Sequence, residues 1–205
     1  MTNKKFDLQF YSQKTKLLAG VDEAGRGPIA GPVVAAAVVF NKDVFIPEIN
    51  DSKKLAEKKR EELYETIIEK ATAYGIGVVG VEEIEKINIL NAALKAMKIA
   101  VLNLSVSPDY ILIDGNKKFV CEIPTETVIK GDAKSFVIGA ASIIAKVTRD
   151  RIMRELDKDF PQYFWTKNKG YGTKQHIEAI KEFGVTKHHR KLFLRKILTE
   201  ERTLL

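Results

Sequence analysis

The sequence predicts an α/β fold, a mixed β-sheet flanked by helices with a helical C-terminal portion, on three observations. Two apolar runs near the start, KLLAGVDEAG and PVVAAAVVF, are joined only by GRGPIAG, the mark of a hairpin or a bulged pair. Further along, strand-like apolar runs alternate with stretches of helical periodicity, as in a sheet that is partly parallel. The last stretch carries two helical patterns in a row.

Each element follows in order. In LAEKKREELYETIIEKA, Leu63, Ile67 and Ala71, with Tyr64 and Ile68 beside them, fall on one stripe at helical spacing. YGIGVVGV reads as a third short strand. From 89 to 104 the chain is apolar almost all round, the pattern of a helix packed into a core, and Pro108 ends it. DYILIDG is a continuous apolar strand that stops at an acid, and TETVIKG is a fifth strand. A long helix is expected from about 132 to 157, where Ala140, Ala141, Ser142 and Ala145 permit close packing on a sheet. Two more helices are expected, over 173–183 and 188–198.

Composition narrows the class. With 45% hydrophobic and 30% charged residues in 205 positions, the chain can bury one good core and is not expected to be disordered. MTNKKFDLQFYSQKTK builds no apolar leader, and no run approaches the length of a membrane span. Cys121 is the only cysteine, so an internal disulfide is excluded and a reducing cytoplasm is expected. The net charge of +7 is lopsided: residues 166–205 hold 10 Lys or Arg against 4 Asp or Glu, while the preceding part is nearly neutral. Such a basic end suits a polyanion such as nucleic acid, or is a solvated helix face.

Four acids stand where elements end: Asp22 and Glu23 in the first strand, Asp114 after ILI, and Asp132 at the expected start of the long helix. Taken singly, Asp132 reads as a helix cap and Asp114 as a turn acid. Asp22 and Glu23 are harder to explain away, because charge in an apolar strand costs several kcal/mol, roughly, unless it is matched. Neighbouring strand residues point to opposite faces, so at least one of the two meets an apolar region. Oxygen ligands without a Cys/His cluster suit Mg²⁺ or Mn²⁺, and two such ions about 4 Å apart serve in-line phosphoryl displacement. Gly25 and Gly27 would let the backbone approach a substrate, and Arg26 could meet a phosphate. GDAKS at 131–135 lacks the glycines of a P-loop. His176, His188 and His189 sit in basic surroundings that suggest a surface or phosphate-facing role, and neighbours such as His188 and His189 diverge by about 100° if helical.

GVDEAGRGPIAGPVVAAAVV, NDSKKL, ILIDGN, KGDAKSFVIGAASIIAKVTRDR and NKGYGTKQHIEAIKEFGVTKHHR, in that order, resemble the ribonuclease HII family, the bacterial type 2 ribonucleases H. The resemblance implies a ribonuclease H-like mixed sheet, with a catalytic unit over 1–165 and a basic helical portion over 166–205 completing the substrate surface. It implies an endonuclease that cuts the RNA strand of RNA–DNA hybrids and single ribonucleotides in duplex DNA, leaving 5′-phosphate and 3′-hydroxyl ends. By position, the family's metal-binding and catalytic acids fall on Asp22, Glu23, Asp114 and Asp132, with two Mg²⁺ or Mn²⁺ ions as cofactors. Its GRG motif falls on Gly25, Arg26 and Gly27 and its tyrosine on Tyr171, which together read the 2′-hydroxyl. Lys53, Lys134 and Ser135 are expected phosphate contacts, and a monomer is expected. Two other readings compete: a nucleic-acid-binding module, which has no use for four acids, and another two-metal nuclease, for which GRG and GYGT are not required.

Overall fold

The computed structural model describes residues 3–49 and 55–200, with side chains described as far as residue 195. Lys53 and most of NDSKKL lie outside the described residues. The chain opens with helix α1 (Asn3–Leu8), then strands β1 (Leu18–Ala24) and β2 (Val33–Phe40). Helix α2 (Glu57–Lys70), strand β3 (Ala73–Val79) and helix α3 (Val81–Leu102) follow. Strands β4 (Tyr110–Asp114) and β5 (Thr125–Val128) complete the sheet. Helices α4 (Gly131–Lys134), α5 (Phe136–Asp159), α6 (Trp165–Asn168), α7 (Lys174–Phe183) and α8 (Lys191–Glu200) come last.

The sheet has the order β3-β2-β1-β4-β5. β1 pairs antiparallel with β2, and β2 with β3, whereas β1–β4 and β4–β5 are parallel, so the sheet is mixed as expected. Alternation along the strands sorts the core into two layers. Leu18, Ala36, Val38, Phe40 and Leu112 pack with α2 and α5 on one face. Ala19, Val21, Ala35, Ala37, Ile111 and Ile113 pack with α3 on the other. Because helices cover both faces, all eight residues of β2 are buried and the strand reads as one apolar run. α5 crosses β1 at Gly20, where a β-carbon would stand 2.1 Å from the carbonyl carbon of Val137. A third cluster, with Ile29, Met153, Trp165, Ile180 and Leu194, fastens the C-terminal helices to the β1–β2 connection.

Three boundaries differ from the sequence expectation. α3 begins at Val81 and is broken at Asn88, whose φ is +66°. Asn88 Oδ1 accepts from the N–H groups of Leu90 and Asn91 at 3.0 and 3.1 Å, so this residue caps the second half, which is the part the apolar pattern marks. The long helix is interrupted too. Asp132 lies on the separate turn α4, and the cap of α5 is Ser135, whose Oγ accepts from the Ile138 N–H at 3.3 Å. A second cap comes from α1, where Asp7 Oδ2 accepts from the Val137 N–H at 2.9 Å. Finally, α8 starts only at Lys191, so His188 and His189 are not helical.

Candidate active site

The parallel register of β1 and β4 sets Val21 beside Ile113, so the next residue on each strand, Asp22 and Asp114, emerges at the same edge of the sheet. A cavity of about 370 Å³ opens there, lined by Asp22, Glu23, Asp114, Gly25 and Tyr171 together with Arg60, Ser142, Lys146 and Arg149. Consecutive strand residues serve one cavity because it lies at the strand's end, where Glu23 is already half-buried rather than enclosed by a layer.

Asp22 is 5% exposed. Its Oδ1 accepts from the Glu23 N–H at 2.7 Å, and Ser142 adds a side-chain hydrogen bond. Burial pushes its pKa well above the usual carboxylate range, and the charges of Glu23 and Asp114 push it further. Glu23 is also raised by burial, against the pull of Arg26, whose Nη1 donates to Glu23 Oε1 at 3.0 Å. Its other oxygen, Oε2, is buried without a hydrogen-bond donor among the described residues. Asp114 Oδ1 accepts from the Gly131 N–H at 2.6 Å and the Asp132 N–H at 3.4 Å, which holds the α4 turn behind β4. Asp132 is buried on that turn and does not line the cavity. Among the described residues no three His, Cys, Asp or Glu side chains stand close enough to form a ready-made metal cage. The donor set nevertheless fits hard divalent cations: all its atoms are oxygen, the acids repel one another, and a buried Glu23 oxygen lacks a partner.

The GRG loop meets Tyr171 across the cavity mouth. Gly25 has φ +99°, and a β-carbon there would stand 2.2 Å from Arg149 Nε, so only glycine fits. Gly27 lies open, with the Tyr171 Cε1 atom 3.6 Å from where its β-carbon would be. The N–H groups of Ile29 and Ala30 donate to the Gly170 carbonyl at 2.9 and 3.2 Å, locking the two segments side by side. Tyr171 itself is 48% exposed, and Arg26 is exposed as well. Lys134 is exposed on α4, whereas Ser135 is fully buried, its hydroxyl committed to capping α5 and to Asp7.

The expected surface position is overturned for two of the histidines. His176 and His189 are buried, not at the surface, and their ring nitrogens Nε2 lie 3.1 Å apart. Their enclosure comes from Tyr163 and Trp165, aromatic neighbours that the basic local sequence conceals. Sequence reasoning also missed Arg149 and Arg190, which are as buried as any core residue. Arg149 did leave a signal: it stands on the buried α5 stripe between Ala145 and Met153, where an arginine is out of place. Arg190 left none, since its neighbours are uniformly basic.

A family model described as ribonuclease HII matches residues 19–196. The chain belongs to the ribonuclease HII family. A ribonuclease HII of Caldanaerobacter subterraneus subsp. tengcongensis is 54% identical over 195 residues, 95% of this chain and 81% of that one. A ribonuclease HII of Clostridioides difficile is 52% identical over 193 residues, covering 94% of this chain and 76% of the relative. Among solved structures, the ribonuclease H2 from Pyrococcus horikoshii OT3 superposes with a TM-score of 0.76 at 28% identity, covering 91% of this chain and 99% of that one. As a ribonuclease HII family member the protein is an enzyme, a nuclease that hydrolyses the RNA strand of RNA–DNA hybrids. No described helix is long and apolar enough to cross a membrane.

Proposed function

We propose that this ribonuclease HII family member also cuts at single ribonucleotides embedded in duplex DNA, using two divalent cations and leaving 5′-phosphate and 3′-hydroxyl ends. The observation that carries this reading is the shared cavity: acids at its floor and the GRG–Tyr171 pair at its mouth, in one chain. Asp22, Glu23 and Asp114, together with Asp132 from the turn behind if it swings in, would hold Mg²⁺ or Mn²⁺. Such cations, when bound, would supply Lewis-acid activation of water and neutralise developing negative charge.

The protein's own groups do the rest. Burial raises the pKa of both Asp22 and Glu23, so nearby positive charge favours their ionised forms and the site is suited to cations. Lys146, held at 2.6 Å by the buried Asp150, and Arg60 bring positive charge to the cavity wall for the backbone phosphate. The main chain of Gly25, Arg26 and Gly27 approaches the 2′-hydroxyl, the group that separates RNA from DNA. The exposed ring of Tyr171 packs on the next sugar. Lys53, Lys134 and the basic portion over 166–205 extend the phosphate grip. Because every proposed site residue comes from one chain, a monomer suffices, and the free thiol of Cys121 suits a reducing cytoplasm.

The test uses two otherwise identical DNA duplexes, one with a single ribonucleotide, incubated with Mg²⁺ or Mn²⁺. The ribonucleotide-bearing strand should be nicked, with ligatable 5′-phosphate ends, and the all-DNA duplex left intact. Cutting of both, or of neither while a continuous hybrid is cut, would remove the single-ribonucleotide reading.

A further inference from the structure

Two buried residues that are consecutive in sequence, His189 and Arg190, reach the two arms of the proposed reader by different routes. Arg190 spreads its guanidinium over the GRG loop. Nη2 donates to the carbonyls of Gly25 at 2.7 Å and Gly31 at 2.8 Å, Nη1 to Pro28 at 2.9 Å and Arg26 at 3.2 Å, and Nε to Gly31 at 2.9 Å. The planar fork of arginine is suited to this, since five donors in fixed directions meet four carbonyls that turn inward. Burial pushes its pKa down to about 9. The main chain joins in: the Arg190 N–H donates to Ile29 O at 2.8 Å, and the Gly31 N–H to His188 O at 2.8 Å.

His189 works on the other arm. Its Nδ1 accepts from the Thr186 N–H at 2.9 Å, so the ring proton must sit on Nε2. Across from it, His176 Nε2 accepts from Trp165 Nε1–H at 3.0 Å, so it carries no proton and accepts from His189 as well, at 3.1 Å. The proton of His176 is thereby fixed on Nδ1, which donates to the Tyr171 carbonyl at 2.8 Å. Each donor settles the next, and the chain ends on the residue that faces Gly27.

We infer that Arg190, acting directly on the GRG loop, and His189, acting through His176, form a clasp that positions both arms of the ribonucleotide reader, so that its integrity sets discrimination for a single ribonucleotide. None of these side chains lines the acid cavity, so they are positioning residues rather than catalytic ones. The inference rests on the proposed reading of Tyr171 and GRG.

The test compares kcat/KM on a duplex with one ribonucleotide and on a continuous RNA–DNA hybrid, together with thermal unfolding, for His176→Asn, His176→Gln, Arg190→Lys and Tyr171→Ala. The amide of asparagine can stand where Nδ1–H stands and keep the bond to the Tyr171 carbonyl, whereas that of glutamine lies one carbon further out. His176→Gln and Arg190→Lys should lose about 10-fold or more on the single ribonucleotide beyond any loss on the hybrid, because one register leaves no alternative placement. His176→Asn should restore most of that ratio. Equal behaviour of the two His176 variants, or equal losses on both substrates, overturns the clasp while a selective loss in Tyr171→Ala leaves the reader standing. Equal losses in Tyr171→Ala overturn reader and clasp together. If Arg190→Lys does not fold, the His176 pair decides alone.

Discussion

Asp22 is unfavourable for the metal-free fold, and the proposed function gives it a use in holding cations. Its folded pKa is raised by burial and by two acidic neighbours, so as pH climbs past the unfolded value of 3.8 the unfolded chain ionises first. The metal-free protein therefore loses stability as pH rises toward the folded pKa. Asp22→Asn should abolish cleavage while raising the metal-free melting temperature near neutral pH, by about 2–4 °C per kcal/mol relieved. Cleavage assays and calorimetry without metal check both halves, and retained activity would remove Asp22 from the metal site. The histidine pair has the opposite sign. Burial holds His176 below the ordinary 6.5, against the pull of the Tyr171 carbonyl, and burial followed by the charge of His176 and His188 holds His189 down at about 4. Their contribution is complete above pH 6.5 and lost as pH falls through each folded value, for His189 about 4. Asp7, pushed up to about 6 by burial, works the other way, so the comparison needs a variant. His189→Gln should flatten the fall in melting temperature between pH 6.5 and 4, and an unchanged profile would contradict the neutral-pair assignment.

Elements were legible wherever their own sequence carries the pattern. Both hairpin strands, α2 and β3 to β5 show it because each covers a layer, and the helices on both faces explain the unbroken apolar run of β2. Boundaries set by single hydrogen bonds were not legible. In GDAKS both Asp132 and Ser135 can cap a helix, so the pattern does not say which one starts it, and the extended backbone at Ser135 that separates α4 from α5 is not marked. Likewise the first turns of α3, before the Asn88 cap, are too polar to read as core. The packing of α5 on β1 yields a prediction. Gly20→Ala would set a β-carbon against the Val137 backbone, which cannot swing aside as a side chain could, and should destabilise by about 1–3 kcal/mol in urea unfolding. An unchanged midpoint would mean that α5 can ride further from the sheet.

On the scale of the whole molecule, the basic end divides into two sets of residues, which charge alone could not separate. Arg190, His176 and His189 turn inward to the site, and Lys169 is tied at 3.2 Å to Glu57 on α2. Lys167, Lys174 and Lys187 remain exposed. Neutralising these three should reduce the slope of log affinity for a duplex against log salt by roughly 0.9 per lost contact. An unchanged slope would assign them to a solvated face. The acids and GRG–Tyr171 were legible as motifs, but the inward arginine and histidines were not: the carbonyls that hold Arg190 lie far off in sequence, and the nearer partners of the histidines, Tyr171, Trp165 and Thr186, close round them only in the fold. The central claim is that Tyr171 and the GRG loop select one ribonucleotide register over a floor of metal-binding acids. The most direct measurement is the cleavage rate of Tyr171→Ala and Tyr171→Phe on a single embedded ribonucleotide and on a continuous hybrid, at saturating metal. A continuous hybrid offers a 2′-hydroxyl at every step, so Tyr171→Ala should fall further on the single ribonucleotide, and Tyr171→Phe, which keeps the ring, should retain the stacking part. Equal proportional losses on the two substrates would contradict the account.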